Sequence, residues 1–158
     1  MLEVGSKAPE FVLANDNGGE TSLTDLLEDG PLILYFYPAD FTPGCTKEAC
    51  SIRDIHNDIQ SVGLRVAGIS PQDVESHQKF RDEYGLPFTL LSDPDKVAIK
   101  MYDVDGMFGV GVRRATFLIS QDRIIQDAVM ADLRIGRHQE FIEKAIILRE
   151  TAGKRGGD

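Results

Sequence analysis

The order of the structural elements is set by residues 31–50, which read PLILYFY (31–37), PADFTPG (38–44) and CTKEAC (45–50). The first seven residues are aliphatic and aromatic after the proline, which is typical of a strand buried in the middle of a sheet. Proline and glycine punctuate the next seven residues, which are predicted to form a loop. A helix is predicted from about Cys45 to Ser61. Cys45 is therefore expected in the first turn of a helix, beyond the carboxyl end of a central strand.

The chain after this helix alternates between strand and helix patterns. Such alternation requires right-handed crossovers and a sheet covered by helices on both faces, and a closing hairpin adds antiparallel strands. We predict an α/β, thioredoxin-like fold with a mixed central sheet, although flavodoxin-like folds alternate in a similar way. The further predicted elements are strands at Leu64–Ser70, Phe88–Leu91, Arg114–Ile119 and Ile124–Val129, and helices at Asp73–Tyr84 (N-cap Asp73, C-cap Gly85), Lys96–Tyr102 and His138–Arg149, the last with Phe141, Ile142, Ala145 and Leu148 on its apolar side.

The composition is that of one ordinary globular domain. The chain has 158 residues, 42% hydrophobic and 27% charged, and is long enough to bury a core. We predict one domain over residues 1–150 and a flexible, glycine-rich tail over residues 151–158. A net charge of −9 argues against nucleic-acid and anionic-membrane partners, because phosphates attract clusters of Lys and Arg. The first residues lack the apolar stretch of a signal peptide, and no apolar run approaches the roughly 20 residues that span a bilayer. A cytoplasmic location is expected.

The two cysteines are too few for a secreted disulfide scaffold and indicate chemistry instead. At a helix N-terminus, free backbone N–H groups and the helix dipole stabilise an anion, so Cys45 is favoured as a thiolate. Helical spacing places Cys45 on the apolar face and Cys50 on the opposite, polar face. On an intact helix their Cα atoms are about 8.5 Å apart. A disulfide tolerates no more than about 7 Å, so the two cysteines can pair only if the first turns unwind.

Two other interpretations of the cysteines compete with this one. Both can be ordinary small residues, since free cysteine is common in protein cores. Cys45, Cys50 and His56 also have spacings loosely like those of a zinc site. His56 lies about 16 Å from Cys45 along an intact helix, however, and no fourth ligand is evident. We predict no metal and no other cofactor.

The segment Pro38-x-x-x-Thr42-x-x-Cys45 matches the signature of the peroxiredoxins. The second cysteine five residues later resembles the peroxiredoxin Q branch, also called bacterioferritin comigratory protein. The resemblance extends over nearly the whole chain, although the segment 133–138 matches loosely and the chain has no tryptophan. The other matching stretches are Gly5-x-x-Ala8-Pro9-x-Phe11-x-Leu13, Ser76-His77, Leu86-Pro87-Phe88, Leu91-Ser92-Asp93 and Arg114-Ala-Thr116-Phe117.

This resemblance implies a role for each residue of the signature. Cys45 attacks the terminal oxygen of a hydroperoxide and becomes a sulfenic acid. Thr42 offers its hydroxyl to the peroxide, and backbone N–H groups near Gly44 and Cys45 add further donors. Arg114 supplies a permanent positive charge that favours the thiolate and polarises the O–O bond. Pro38 shields the thiolate from water.

The resemblance also implies how the cycle closes. Cys50 condenses with the sulfenic acid to an intrachain disulfide, which thioredoxin or a similar dithiol reduces. The implied substrates are hydrogen peroxide and organic hydroperoxides, with the preferred peroxide and the physiological reductant left open. The branch suggests a monomer, and a weak homodimer is the alternative.

Several other residues have less specific interpretations. Arg113 alternates with Arg114 along a strand, so it is expected on the opposite, solvated face. Glu48 either complements the helix dipole from the first turn or pairs with an arginine, as in other branches of the family. The loop from Asp103 to Gly111 is predicted to connect elements near Arg114. No direct role is expected for the three histidines, His56, His77 and His138.

Two rival functions remain at this point. A thiol–disulfide oxidoreductase of the same fold needs a close dithiol, usually Cys-x-x-Cys, whereas four residues separate the cysteines here. A binding module with incidental thiols would not need Thr42, Cys45 and Arg114 together. The sequence therefore favours a thiol peroxidase.

Overall fold

The computed structural model describes the backbone of residues 1–156 and the side chains of residues 1–152. One mixed sheet of seven strands lies in the order β2-β1-β5-β4-β3-β6-β7. The central strand β3 pairs in parallel with β4 and antiparallel with β6. The mixed sheet and the central position of the 31–37 run are thus confirmed. The strands are β1 Val12–Asn15, β2 Glu20–Ser22, β3 Leu32–Phe36, β4 Arg65–Ser70, β5 Thr89–Ser92, β6 Ala115–Ile119 and β7 Ile125–Met130.

Helices cover both faces of this sheet, as the alternating pattern predicts. Helix α4 has the predicted caps: the Asp73 carboxylate accepts from the Ser76 N–H at 2.8 Å, and Gly85 has φ of 60°. A 3-10 turn spans Met107–Gly109 within the loop predicted at 103–111. The helices are α1 Leu23–Leu26, α2 Pro43–Asp54, α3 His56–Ser61, α4 Val74–Tyr84, α5 Val97–Met101 and α6 Gly136–Gly156.

The helix that carries the cysteines differs from its prediction at both ends. It begins at Pro43, because proline's fixed φ and missing N–H suit the first position of a helix. It ends at Asp54, since Ile55 leaves helical geometry (φ −107°, ψ 11°), and α3 continues after it. The predicted helix over Cys45–Ser61 is therefore two helices.

The last helix also differs from its prediction. It continues past the predicted end at Arg149 to Gly156, because Glu150 and Ala152 favour helix. The flexibility of the segment 151–158 stays a prediction, and residues 157 and 158 lie outside the described residues. Ile146 rather than Leu148 is buried beside Ile142 and Ala145. The spacing i, i+3, i+4 from Ile142 explains this choice of face. Within the part of the chain that is described, no helix is long and apolar enough to cross a bilayer.

The core has two halves, one on each face of the sheet. Strand β3 is buried on both faces, so its side chains alternate between them. Tyr35 belongs to the half that also contains Cys45, Ala49 and Ile52 of α2. Cys45 therefore lies between the sheet and the helices of that face, at the carboxyl end of β3.

Candidate active site

Cys45 occupies the third position of α2 and its side chain is almost completely buried, with 1% of the residue exposed. Thr42 is the N-cap residue and Pro43 the first helical residue. The helix begins immediately after the loop that leaves β3, so the unpaired N–H groups and the positive end of the dipole face the thiol. Helical periodicity predicts this burial: Cys45, Ala49, Ile52, His56 and Ile59 are all buried.

Arg114 reaches Cys45 from the start of β6. Its Nη2 donates to Cys45 Sγ at 3.3 Å, and its Nη1 donates to Glu48 Oε1 at 2.9 Å. The guanidinium is buried, which strengthens both contacts because little water screens them. Arg113 points the other way, into a half-exposed ion pair with Asp132 at 2.7 Å. The alternation argument that separates the two arginines is confirmed.

The close approach of Arg114 depends on Gly44. A Cβ added at Gly44 would lie 3.2 Å from Arg114 Nη2 and 2.8 Å from Ile135 Cδ1. Both distances are shorter than ordinary van der Waals contact, so a side chain at this position would displace the guanidinium or Ile135. The glycine therefore leaves the space through which the arginine reaches the thiol.

The remaining residues of the signature surround the same helix end. Thr42 is half-buried and its hydroxyl donates to the Ala39 carbonyl at 3.1 Å, so the side chain of this N-cap residue makes no capping hydrogen bond. Pro38 is half-buried at the end of β3, and its shielding role stays a prediction. Cys45 and Cys50 are both free thiols on an intact helix, with Cys50 half-buried.

Glu48 has a buried carboxyl group, and only one of the two interactions predicted for it is present. Because α2 begins at Pro43, Glu48 is the sixth helical residue and lies in the second turn, which contradicts the expected first-turn position. Pairing with Arg114 is the interaction that the structure contains. Burial raises the pKa of Glu48 to about 7, against the opposing effect of Arg114. Its Oε2 atom is buried and has no hydrogen-bond partner.

His138 is the site residue that sequence analysis missed. Its Nε2 lies 2.9 Å from the Ala131 carbonyl and its Nδ1 lies 2.8 Å from Thr116 Oγ1. Burial lowers the pKa of His138, which favours the neutral ring. A carbonyl only accepts, so Nε2 carries the proton and the Thr116 hydroxyl donates to Nδ1. Glu48 Oε2 is 3.6 Å from that same Nδ1.

The structure thus assembles Cys45, Gly44, Glu48, Arg114 and His138 from three elements. Among the described side chains, no group of three or more His, Cys, Asp or Glu residues could hold a metal ion. His56, the third ligand of the zinc alternative, packs against the ring of Phe88 instead, at 6.3 Å between ring centroids.

Residues 4–128 match the family model described as the AhpC/TSA family. The chain belongs to the AhpC/TSA family. It is 46% identical over 143 residues to the putative peroxiredoxin bcp of Coxiella burnetii, a match that covers 87% of this chain and 93% of that protein. The resemblance to the peroxiredoxin Q and Bcp branch is therefore confirmed.

Solved structures agree with this assignment. Peroxidoxin BcpB from Mycobacterium tuberculosis superposes with a TM-score of 0.87 at 32% identity, over 94% of this chain and 98% of that one. Xanthomonas campestris peroxiredoxin Q superposes with a TM-score of 0.82 at 28% identity, over 94% and 96% of the two chains. The thioredoxin-like fold of this AhpC/TSA family member is thereby confirmed, and its relatives support thiol peroxidase activity.

The raised pKa of Glu48 predicts a specific pH dependence of stability. The folded state binds the Glu48 proton up to about pH 7, whereas the unfolded chain releases it near 4.5. The protonated carboxyl therefore stabilises the folded state, and this contribution is complete below pH 4.5. As the pH rises through 7, the free energy of unfolding falls by about 3 kcal/mol for a pKa shift of this size. Glu48→Gln, which does not titrate, should therefore gain about 3 kcal/mol relative to the parent between pH 4.5 and 8.

Urea unfolding of both proteins at these two pH values measures the difference. Glu143→Gln on the exposed face of α6 is the matched control, and it should follow the parent at both pH values. Parallel loss of stability in the parent and Glu48→Gln would contradict the assignment.

Proposed function

We propose that this chain is a thiol-dependent peroxidase in which Cys45 reduces a hydroperoxide and Cys50 resolves the product. The observation that carries the proposal is the contact of 3.3 Å between Arg114 Nη2 and Cys45 Sγ at the first turn of α2. A buried guanidinium and a helix N-terminus together stabilise the sulfur as an anion. A thiolate is the form that attacks an electrophilic oxygen.

The first step is a displacement on the terminal peroxide oxygen. The Cys45 sulfur forms a bond to that oxygen, the O–O bond breaks, and the leaving oxygen takes up a proton to become water or an alcohol. Cys45 is then a sulfenic acid. Arg114 uses two of its five N–H donors on Cys45 and Glu48. Its remaining donors can stabilise the negative charge that develops on the leaving oxygen.

Thr42 has a more specific role in peroxide binding than the family resemblance alone implies. Its hydroxyl proton is committed to the Ala39 carbonyl. The oxygen keeps its lone pairs, so Thr42 is an acceptor for the O–H of an incoming hydroperoxide. Such a contact would orient the peroxide toward Cys45, which lies three residues further along the same helix end.

Cys50 would then form the intrachain disulfide. The sulfenic acid of Cys45 and the thiol of Cys50 condense to a disulfide and water. On the intact α2 the two Cα atoms are too far apart for this bond, so the first turns must unwind. Unwinding also brings the buried Cys45 to the surface, where a protein reductant can reach the disulfide. Chemistry and conformational change are therefore coupled in each cycle.

The recycling partner in this proposal is thioredoxin or a similar dithiol. Thiol–disulfide exchange with a dithiol returns both cysteines to thiols. The proposal includes a cytoplasmic location, since thioredoxin keeps thiols reduced in that compartment. It also includes a monomer or a weak homodimer, because resolution within one chain needs no second copy.

The proposal is tested by mixing the reduced protein with one equivalent of hydrogen peroxide. Free thiols and intact mass are followed within seconds of mixing. We expect both thiols to disappear together, with a loss of about two mass units and no covalent dimer. Glutathione at the same thiol concentration serves as the control for an ordinary thiol. Loss of Cys45 at the rate of that control would overturn the proposal and favour a binding module.

A further inference from the structure

A second buried polar cluster lies beside the active-site loop and takes no part in the steps above. Its centre is Asp40, five residues before Cys45, whose side chain is completely buried. Tyr37 Oη donates to Asp40 Oδ1 at 2.7 Å, and Ser76 Oγ donates to Asp40 Oδ2 at 2.7 Å. His77 Nδ1 also lies 2.7 Å from Asp40 Oδ2. The cluster connects the loop after β3 to helix α4.

The hydrogen-bond partners define the proton positions in this cluster. His77 Nε2 lies 3.1 Å from the Leu91 carbonyl, which can only accept, so Nε2 carries a proton. The contact of 2.7 Å between Nδ1 and Asp40 Oδ2 requires one proton between these two atoms, which joins the two side chains by a hydrogen bond. The result is a completely buried, hydrogen-bonded pair between Asp40 and His77. His77 is in turn fixed to β5 through Leu91.

The loop that this pair holds contains a strained residue. Phe41, next to Asp40, has φ of 63°, a left-handed conformation that is costly for a residue with a Cβ atom. Its ring packs against Phe80 of α4, with ring centroids 5.2 Å apart. Both neighbouring residues of the loop are thus bound to α4. Release of these contacts would relieve the strain and free the chain directly ahead of α2.

This connection matters for the step in which α2 must unwind. Unwinding displaces Pro43, Gly44 and Cys45, and the preceding loop is the segment that must yield with them. Resting on the proposed function, we propose that Asp40 and His77 are positioning residues that hold this loop in its folded form. They thereby set how often α2 unwinds, and so how often the Cys45 sulfenic acid can react with Cys50.

The proposal predicts the fate of the sulfenic acid. Condensation with Cys50 gives a disulfide and water, whereas attack on a second hydroperoxide gives a sulfinic acid and an alcohol or water. The second reaction competes while Cys45 stays in the folded site. A tighter loop therefore favours over-oxidation, and a looser loop favours the disulfide.

The test compares His77→Gln with the parent protein at increasing hydrogen peroxide, using rapid quenching and intact mass. We expect disulfide formation to accelerate about tenfold, the effect of losing one buried hydrogen bond whose partner is left unsatisfied. The sulfinic fraction should fall correspondingly, while the first oxidation stays within about twofold. Ser76→Ala, which keeps the pair and removes one donor, should shift the partition in the same direction by less. If His77→Gln does not fold, Ser76→Ala decides alone.

Ile125→Val is the matched control, because Ile125 is buried in the opposite half of the core. Its thermal stability should fall without any change in the partition. An unchanged partition in the folded variants, or an equal change in Ile125→Val, would overturn the positioning role alone. A parent protein without a rapid first oxidation would overturn the proposed peroxidase as well.

Discussion

Cys45→Ser should abolish hydroperoxide turnover, whereas Cys50→Ser should preserve the first oxidation and lose recycling. A serine hydroxyl at the same helix position is far less acidic than a thiol, so Arg114 and the helix dipole cannot make it a useful nucleophile. The measurement is hydroperoxide consumption with thioredoxin as the reductant. Peroxide consumption by Cys45→Ser at the parent rate would remove Cys45 from the reaction.

The two variants are controls for each other, because each removes one thiol from the same helix. In Cys50→Ser, the rate at which the Cys45 thiol is lost should stay within about twofold of the parent, since Cys50 lies outside the contacts of Arg114. The oxidised variant should accumulate as sulfenic and then sulfinic acid, without a disulfide. Normal recycling of this variant by thioredoxin would show that another thiol resolves Cys45.

Local patterns predicted the parts of the fold that depend on neighbouring residues. The buried strand β3, the caps of α4 and the position of Cys45 at a helix start all follow from residues close in sequence. Strands β1 and β2 are short, with four and three residues, and lie at one edge of the sheet, and the sequence analysis does not predict them. Such short strands depend on pairing with each other and with β5, which no local pattern reveals.

The site was predicted where periodicity sufficed and missed where distant elements meet. Strand alternation separates Arg114 from Arg113 and puts Thr116, two residues further on, on the same face as Arg114. The contact of His138 with Thr116 depends on how α6 packs against that face, 22 residues further along the chain. The Asp40–His77 pair similarly joins residues 37 positions apart. The burial of His77 and His138 is itself a result of this long-range packing, so no local pattern in the sequence signals either contact.

Arg114→Met should slow the reaction of Cys45 with hydrogen peroxide by about 10²- to 10³-fold, the usual cost of removing one preorganised donor from a reacting centre. Methionine fills similar space but removes the charge beside the sulfur and the donors for the leaving oxygen. The substitution also leaves the buried Glu48 carboxyl without its ion-pair partner, so the variant is best made in a Glu48→Gln background. The rate is measured as loss of the Cys45 thiol in a single turnover.

Arg113→Met is the matched control, because Arg113 is a neighbouring arginine in a half-exposed ion pair. Exposed pairs contribute little, so its rate should stay within about twofold of the parent. Arg114→Lys should give an intermediate rate, since lysine keeps the charge but cannot bridge Cys45 and Glu48 with a planar fork. Equal rates for Arg113→Met and the Arg114→Met variant would mean that the guanidinium contact at Cys45 holds the fold and does not promote the chemistry.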